Sequence, residues 1–453
     1  MVERPKYMAK VLLFDPLDEF LIGNKEFAPL GILYLSSWLK ERGHDVKVIH
    51  GKPNDIEYGF DFYGFSATTP QYPAAMEAMT RIRKIEPDSI RVLGGAHVNA
   101  PQVRDECFED GFTHLVLGEG EIAMQEIVEG KRDLKDKVIA GKPLRGLDLD
   151  RLVPDRRAID IENYGYPLAN GKALTVITAR GCPFTCQFCS SAETSYAFRK
   201  IDNVIEEVDD LVRNYGANRL LFVDDVFTLK PSRLSDLLRE LQPYARRGLR
   251  WRCYSRTDQT NHLAEMAEAG CIEVGAGIES GSVDILELIM KYTSPNKNAE
   301  FVRGTKEVGI KANCFIMVGL PGESPRTVEE TRRWMEDARP EAFGYNIFMP
   351  YPDSPILQKF DMPLRTRNGI FNGRKYSEFI TVYPYTSWGD TVVKAKKIDV
   401  DNVYVETPWM TRRDILDTYH REFEEFVRIT GFDPRRRGDR GTKTSEYTGH
   451  ASE

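Results

Sequence analysis

Short, β-rich apolar runs alternate with amphipathic helical stretches in two successive series along this chain, and few architectures accommodate that pattern. In the first 130 residues the runs are KVLLF (10–14), DVKVIH (45–50), DFYGFSA (61–67), RVLGGA (91–96) and HLVLG (114–118). Between them, PLGILYLSSWLKERG and YPAAMEAMTRIRKIE carry apolar residues at three- and four-residue spacing and end near Gly or Pro, as amphipathic helices do. A second series begins at Leu174: LTVITAR (174–180), RLLFVDD (219–225), RWRCYSR (250–256), CIEVGAGIES (271–280), KANCFIMVGL (311–320) and AFGYNIFMP (342–350). Helical patterns such as VIEEVDDLVRNYG, HLAEMAEAG and TVEETRRWMEDA separate these runs. Alternation of this kind predicts parallel sheets. The first series reads as a doubly wound, Rossmann-like domain and the second as a partial (β/α)6 barrel of TIM type.

The intervening residues, rich in Lys, Arg, Asp and Pro, lack sustained periodicity and read as a connection with some structure of its own. The boundaries fall at 1–145 for the first domain, 146–172 for a linker, 173–365 for the barrel and 366–453 for a C-terminal extension. The basic stretch DPRRRGDR (433–440) and the polar GTKTSEYTGHASE after it read as a disordered tail. Residues 366–410 are rich in aromatics, including Tyr376, Phe379, Tyr383, Tyr385, Trp388, Tyr404 and Trp409. These either pack the extension onto the barrel or help to enclose a ligand.

Both architectures bind ligands at the carboxyl ends of their strands. In the first domain those ends carry Asp15, then Ser66, Thr68 and Thr69, then Gly94 and Gly95, then Gly118, Glu119 and Gly120. The pattern GxGxxG is absent after the first strand, which disfavours a nicotinamide site. In the barrel the ends carry Asp224 and Asp225, Arg256, Glu279 and Ser280, Gly319 to Glu323, and Pro350 with Tyr351.

The first barrel strand runs into ARGCPFTCQFCS, where Cys182, Cys186 and Cys189 are close enough for one loop to fold their thiolates around a single iron-sulfur cluster. A four-iron cubane needs four ligands, so three cysteines leave one iron open to a small molecule. Structural zinc usually takes four Cys or His ligands, and the next candidates downstream are Cys253 and His262. A disulfide framework suits a short secreted chain. This one has 453 residues and seven cysteines, an odd number, and its opening lacks the apolar run of a signal peptide. Cys107, Cys253, Cys271 and Cys314 sit within or beside apolar patterns, as small buried residues do. These features place the chain in the cytoplasm. A net charge of −7 argues against nonspecific nucleic-acid binding, and no apolar run has the length of a membrane span.

CPFTCQFC resembles the CxxxCxxC loop of the radical S-adenosylmethionine (SAM) superfamily, with Phe188 before the last cysteine. LLFVDDVFT, GAGIESGS, FIMVGLPGES and NIFMPYPDSPI resemble in order the strand-end motifs of its subgroup with an N-terminal cobalamin-binding domain. PLGILYLSSWLKERGHDVKVI, GFSATT, VLGGAHVNA and GEGE resemble that domain. The resemblance implies a 4Fe-4S cluster on Cys182, Cys186 and Cys189, with SAM on the open iron. It implies a SAM site drawn from Phe188, Asp225, Arg256, Glu279, Ser280, Gly319, Leu320 and Gly322. It further implies cobalamin contacts from Asp15, Ser66, Thr68, Thr69, Gly94, Gly95, Gly118 and Gly120. The DxHxxG motif of cobalamin mutases is missing, since PLDEF follows Asp15. Cobalt would therefore take no histidine from that loop.

The activity implied is methylation of an unactivated carbon, or phosphorus, of a small molecule, supported by an external electron donor of flavodoxin or ferredoxin type. The alternatives are a cyclisation, oxidation or rearrangement with the same cofactors, and a non-catalytic cobalamin-binding protein. No catalytic side chain is singled out, and neither nucleic acid nor membrane is expected as a partner.

Overall fold

The computed structural model describes residues 8–17, 24–133, 135–259, 261–351, 353–366, 369, 371, 373–383 and 400–436. These form two compact units that divide at Gly165 and Tyr166.

The first unit is a six-stranded parallel sheet of β1 (Lys10–Pro16), β2 (Asp45–Gly51), β3 (Phe62–Ser66), β4 (Ile90–Gly94), β5 (His114–Leu117) and β6 (Val138–Ala140). Its strand order is β2-β1-β3-β4-β5-β6. The chain therefore reverses direction across the sheet at β1 and β3, which opens a ligand crevice at their carboxyl ends. Helices α1 (Leu30–Glu41), α2 (Tyr72–Ile85), α3 (Arg104–Asp110) and α4 (Glu121–Val128) alternate with the strands. Val11, Leu12, Leu13 and Phe14 are all fully buried. That continuous apolar run is what a parallel strand covered on both faces requires. Phe65 joins the packing edge-on to Phe14 and Phe112, at centroid distances of 5.7 and 5.3 Å. The sixth strand lies in a stretch where no periodicity marked it, because three residues are too few to show an alternation.

The second unit is built on a seven-stranded sheet in the order β15-β14-β13-β12-β11-β8-β7. It contains β7 (Tyr166–Leu168), β8 (Gly171–Val176), β11 (Arg219–Phe222), β12 (Arg250–Ser255), β13 (Cys271–Glu279), β14 (Lys311–Val318) and β15 (Ala342–Ile347). A two-stranded ribbon of β9 (Ala179–Arg180) and β10 (Ala197–Phe198) brackets the cysteine loop. Six strands run parallel, as six β/α units predict, and β7 adds an antiparallel edge by folding back on β8. The segment 146–172 thus contains α5 (Leu147–Arg151), all of β7 and the start of β8.

Crossover helices α6 (Ile201–Asn214), α7 (Pro231–Arg246), α8 (Leu263–Glu268), α9 (Val283–Leu288), α10 (Pro295–Glu307) and α11 (Pro325–Ala338) connect the parallel strands. Their starts follow from the sequence: Ser294 and Ser324 cap α10 and α11, each followed by Pro at the first helical position. After β15, α12 (Pro355–Gln358) is followed by the antiparallel pair β16 (Thr381–Val382) and β17 (Val405–Glu406). The last helix, α13 (Arg412–Thr430), is capped by Thr411 and Asp414 and ended by Gly431 in the left-handed region. It packs on β15, with Phe426 edge-on to Phe343 and Tyr419 stacked on Tyr345 at 5.4 Å.

Of the aromatic segment, Tyr376 and Phe379 are buried and the Tyr376 hydroxyl donates to Leu288 O at 2.8 Å. Trp409 is exposed. Tyr385, Trp388 and the tail beyond Arg436 lie outside the described residues. Among the described residues, no helix is long and apolar enough to cross a membrane.

Candidate functional site

The cysteine loop leaves β9 at Gly181 and is tied down at several points. Cys182 N donates to Thr194 Oγ1 at 2.8 Å, and Glu193 N donates to Phe184 O at 2.8 Å. Gln187 N reaches Ile289 O at 3.0 Å, and Ile356 N reaches Gln187 O at 2.9 Å, which stitches the loop to the segment after α9 and to α12. Behind the loop, the buried Asp224 at the end of β11 accepts from Thr178 N at 2.6 Å and Thr178 Oγ1 at 2.5 Å. Burial raises the Asp224 carboxyl to about 6 against these hydrogen bonds. Asp224 thus fixes where the loop begins, and the adjacent Asp225 faces the loop.

Cys182, Cys186 and Cys189 line a single cavity of about 410 Å³ with Phe184, Phe188, Ser191, Asp225, Tyr254, Arg256, Gly277, Glu279 and Lys291. Burial raises the Cys182 thiol above its ordinary value and pushes Cys189 up to about 11. Among the described residues, no three His, Cys, Asp or Glu side chains converge on a single ion position. The other four cysteines, Cys107, Cys253, Cys271 and Cys314, are free thiols buried in the two cores.

The same cavity wall holds a buried ion pair that the sequence did not reveal. Lys291 Nζ donates to Glu279 Oε1 at 2.8 Å, and both residues are under one-tenth exposed. Burial works to lower the Lys291 pKa, but the Glu279 charge, the Cys186 sulfur and the Glu279 hydrogen bond together hold the ammonium above its ordinary value. Glu279 adopts φ +64°, a left-handed conformation that costs a non-glycine residue about 1–2 kcal/mol. The β13–β14 register shifts between Gly277 and Glu279, so a bulge turns the carboxylate back over Gly277. A Cβ at Gly277 would lie 2.0 Å from Glu279 Oε1 and 2.7 Å from Lys291 Nζ. Glycine is required there by the ion pair.

The remaining expected SAM residues fall elsewhere. Ser280 is fully buried, and its hydroxyl is taken by Thr331 Oγ1 at 3.2 Å and Ser282 N at 3.1 Å. Gly319, Leu320 and Gly322 are not part of the cavity wall. Their turn is held by the buried Glu323 carboxylate, which accepts from Gly319 N and Leu320 N, and by Gly322 N donating to Phe379 O at 2.9 Å. Burial raises Glu323 to about 8, opposed by those two N–H groups.

In the first unit, the expected cobalamin residues gather at the carboxyl ends of β1, β3, β4 and β5. Gln71 clamps two of these ends: its Nε2 donates to Asp15 Oδ1 at 2.9 Å and to Pro16 O at 2.6 Å, while its Oε1 accepts from Thr68 N and Oγ1. Asp15 is half-buried, with its side chain 14% exposed, and loss of hydration pushes its carboxyl up to about 7, with the Gln71 hydrogen bond working the other way. His50, at the end of β2, places Nε2 3.8 Å from Asp15 and Nδ1 2.7 Å from the Tyr164 hydroxyl. Burial, and secondarily Lys25, lowers its pKa to about 4, so it is neutral near pH 7.

Thr69 Oγ1 meets His97 Nδ1 at 3.2 Å, and Gly118 N donates to Asn99 Oδ1 at 3.1 Å. Gly95 has φ +92°, and a Cβ there would lie 2.6 Å from Ala67 O, so only glycine lets the β3 and β4 ends approach. Ser66 and Gly94 add little bulk at these ends, and a Cβ at Gly118 would meet nothing within 4 Å. Gln71, His50 and Tyr164 escaped the sequence reading because contacts between distant segments, not a motif, bring them together.

Three thiols thus lie at the carboxyl end of a mainly parallel sheet that follows a doubly wound unit along the chain. Residues 176–335 match the Radical SAM superfamily, and residues 24–128 match the B12 binding domain. The chain belongs to the radical SAM superfamily, among the members that carry a B12-binding domain. These two domains bring with them a 4Fe-4S cluster with SAM and a cobalamin, respectively.

The chain is 30% identical over 390 residues to the uncharacterized methyltransferase PH0819 of Pyrococcus horikoshii, covering 78% of this chain and 83% of that protein. It is 28% identical over 415 residues to the anaerobic magnesium-protoporphyrin IX monomethyl ester cyclase of Rubrivivax gelatinosus, covering 82% and 73% of the two chains. Its fold is similar to that of the radical SAM methyltransferase TsrM from Kitasatospora setae, solved with cobalamin and a 4Fe-4S cluster. That likeness has a TM-score of 0.67 at 17% identity and covers 96% of this chain and 90% of the other.

Proposed function

We propose that the chain is a cobalamin-dependent radical SAM methyltransferase acting on an unactivated carbon, or phosphorus, of a small molecule. The observation that carries this reading is the shared cavity of Cys182, Cys186 and Cys189 in a chain that also has a B12-binding domain. The three cysteines are the cluster ligands. Glu279 and Lys291 present the cavity's paired charges to the amino-acid end of SAM, and Phe188 with Asp225 completes its wall. Ser280, Gly319, Leu320 and Gly322 support the site from behind, as the hydrogen bonds of Ser280 and of the Gly319–Gly322 turn suggest. Asp15, Ser66, Thr68, Thr69, Gly94, Gly95, Gly118 and Gly120 form the cobalamin crevice, with Gln71 holding the β1 and β3 ends together. The cofactors together supply cleavage of an unactivated C–H bond and delivery of a methyl group. The protein's part is to bind, orient and exclude water, and the apolar walls of Phe184, Phe188 and Phe315 serve the last. An external flavodoxin- or ferredoxin-type protein supplies the electron.

The 28% identity to the Rubrivivax cyclase favours a second reading, in which the same cofactors serve a reaction without methyl transfer. Anaerobic incubation of the reconstituted chain with methyl-labelled SAM, cobalamin and reduced flavodoxin separates the two. Methyl transfer predicts label in the cobalamin fraction together with S-adenosylhomocysteine. Formation of 5′-deoxyadenosine alone, with no S-adenosylhomocysteine, would sink it. Cys186→Ala should abolish cleavage of SAM, and persistence of that activity would refute the ligand assignment.

A further inference from the structure

Arg256, at the end of β12, is held more completely than a residue waiting for a ligand. Its Nε donates to Asp258 Oδ1 at 3.1 Å, and its Nη2 donates to Asp258 Oδ2 at 3.2 Å and to Lys291 O at 2.7 Å. The guanidinium plane lies 4.1 Å over the Phe184 ring, and the side chain is 6% exposed. These partners leave Nη1 3.7 Å from Cys186 Sγ, within the reach of an N–H···S hydrogen bond. A planar fork with five donors suits such a task, since one edge holds Asp258 while Nη2 also reaches Lys291 O and Nη1 reaches Cys186. Arg256 therefore joins the end of β12, the cysteine loop through Phe184 and Cys186, and the segment after α9 through Lys291. Turning it towards a bound carboxylate would break the Asp258 fork and leave the Lys291 carbonyl without this donor. Lys291, by contrast, spends only part of its donor capacity on Glu279.

We infer that Arg256 is a positioning residue for the cluster loop, and that its hydrogen bond to the Cys186 sulfur raises the cluster's reduction potential instead of contacting SAM. The inference rests on the reading of Cys182, Cys186 and Cys189 as cluster ligands. Reduction adds negative charge that spreads onto the ligand sulfurs, and a buried cationic N–H donor beside one of them stabilises the reduced form selectively. Asp258 does not cancel this effect, because its carboxylate binds the far side of the guanidinium and is one-quarter exposed to solvent.

The test uses the full chain, reconstituted anaerobically with iron and sulfide, as wild type, Arg256→Gln and Arg256→Lys. Iron per chain is measured first, and the cluster is then titrated electrochemically with its paramagnetic signal as readout, before and after addition of SAM. At a fixed ambient potential, the ratio of reduced to oxidised cluster should fall about tenfold in Arg256→Gln, which is 59 mV for a one-electron couple. Arg256→Lys, which keeps a charge but loses the fork, should fall less and in the same direction. The signal should still respond to SAM in both variants. An unchanged potential overturns the inference, and an unchanged potential with loss of the SAM response identifies Arg256 as a SAM contact. If Arg256→Gln takes up no iron, the Arg256→Lys titration decides by the same criterion. Absence of iron from the wild type is a different outcome, one that removes the cluster reading itself.

Discussion

Replacing Lys291 with Met removes the cation from one of the most enclosed charge pairs in the second unit. The pair is 2.8 Å long, with side-chain exposures of 10% for Lys291 and 7% for Glu279. At that separation and an effective dielectric near 20, the attraction is about 6 kcal/mol, much of it offset by the cost of taking both charges out of water. Breaking such a pair from one side leaves a buried charge unpaired and costs about 3–5 kcal/mol.

Glu279→Gln with Lys291→Met removes both charges and should lie within about 2 kcal/mol of wild type, so the double-mutant cycle should show a coupling of about 4 kcal/mol or more. The measurement is urea unfolding of the cofactor-free protein, followed by fluorescence of the buried Trp251 and Trp334. With a denaturant slope of about 3 kcal/mol/M, Lys291→Met should move the transition down by about 1 M. The Lys291 pKa is raised on folding, so the pair's contribution is fully present below the ordinary lysine value and is lost only as pH rises beyond it. A Lys291→Met transition at the wild-type midpoint, with coupling near zero, would refute the claim that the pair is desolvated.

Gly277→Ala should cost about 1–3 kcal/mol, because its Cβ displaces the Glu279 carboxylate from Lys291. The same substitution in a Glu279→Gly background should cost markedly less, as read by urea unfolding. Asp15→Asn should stabilise the first unit at pH 8 and flatten its pH dependence. Folding raises Asp15 from 3.8 to about 7, so wild-type stability falls between those pH values and the penalty, at most about 4 kcal/mol, persists above them. Unfolding followed through the buried Trp38 measures this, and an undiminished slope in Asp15→Asn would contradict it. Asp224→Ala strips Thr178 N of its buried acceptor and should cost about 1–3 kcal/mol, while Asp224→Asn should recover part of that loss in thermal unfolding.

The fold was legible wherever periodicity ran long enough to register. The apolar run at Val11 to Phe14 and the three- and four-residue spacing of α1 and α2 follow directly from burial on both faces of a parallel sheet and on one face of a helix. The edge strands β6 and β7 were not legible, because three residues of strand carry no period and their pairing is decided by the neighbour.

In the site, Cys182, Cys186 and Cys189 announce themselves because ligation demands both residue type and spacing. Glu279 could be placed at a strand end, but its partner Lys291 lies twelve residues on, in a segment with no motif. Its approach depends on a bulge and a left-handed Glu279 that composition does not encode. Arg256 shows the same limit: its place at a strand end was readable, whereas its hold on Cys186 arises only when three segments meet.

The most direct test of the account is cofactor stoichiometry after anaerobic reconstitution of the full chain with iron, sulfide and hydroxocobalamin. The account predicts about four irons and one cobalamin per chain, with iron lost from Cys182→Ala, Cys186→Ala and Cys189→Ala while cobalamin is retained. A chain that takes up its cluster but binds no cobalamin, or that keeps its iron without those cysteines, would contradict it.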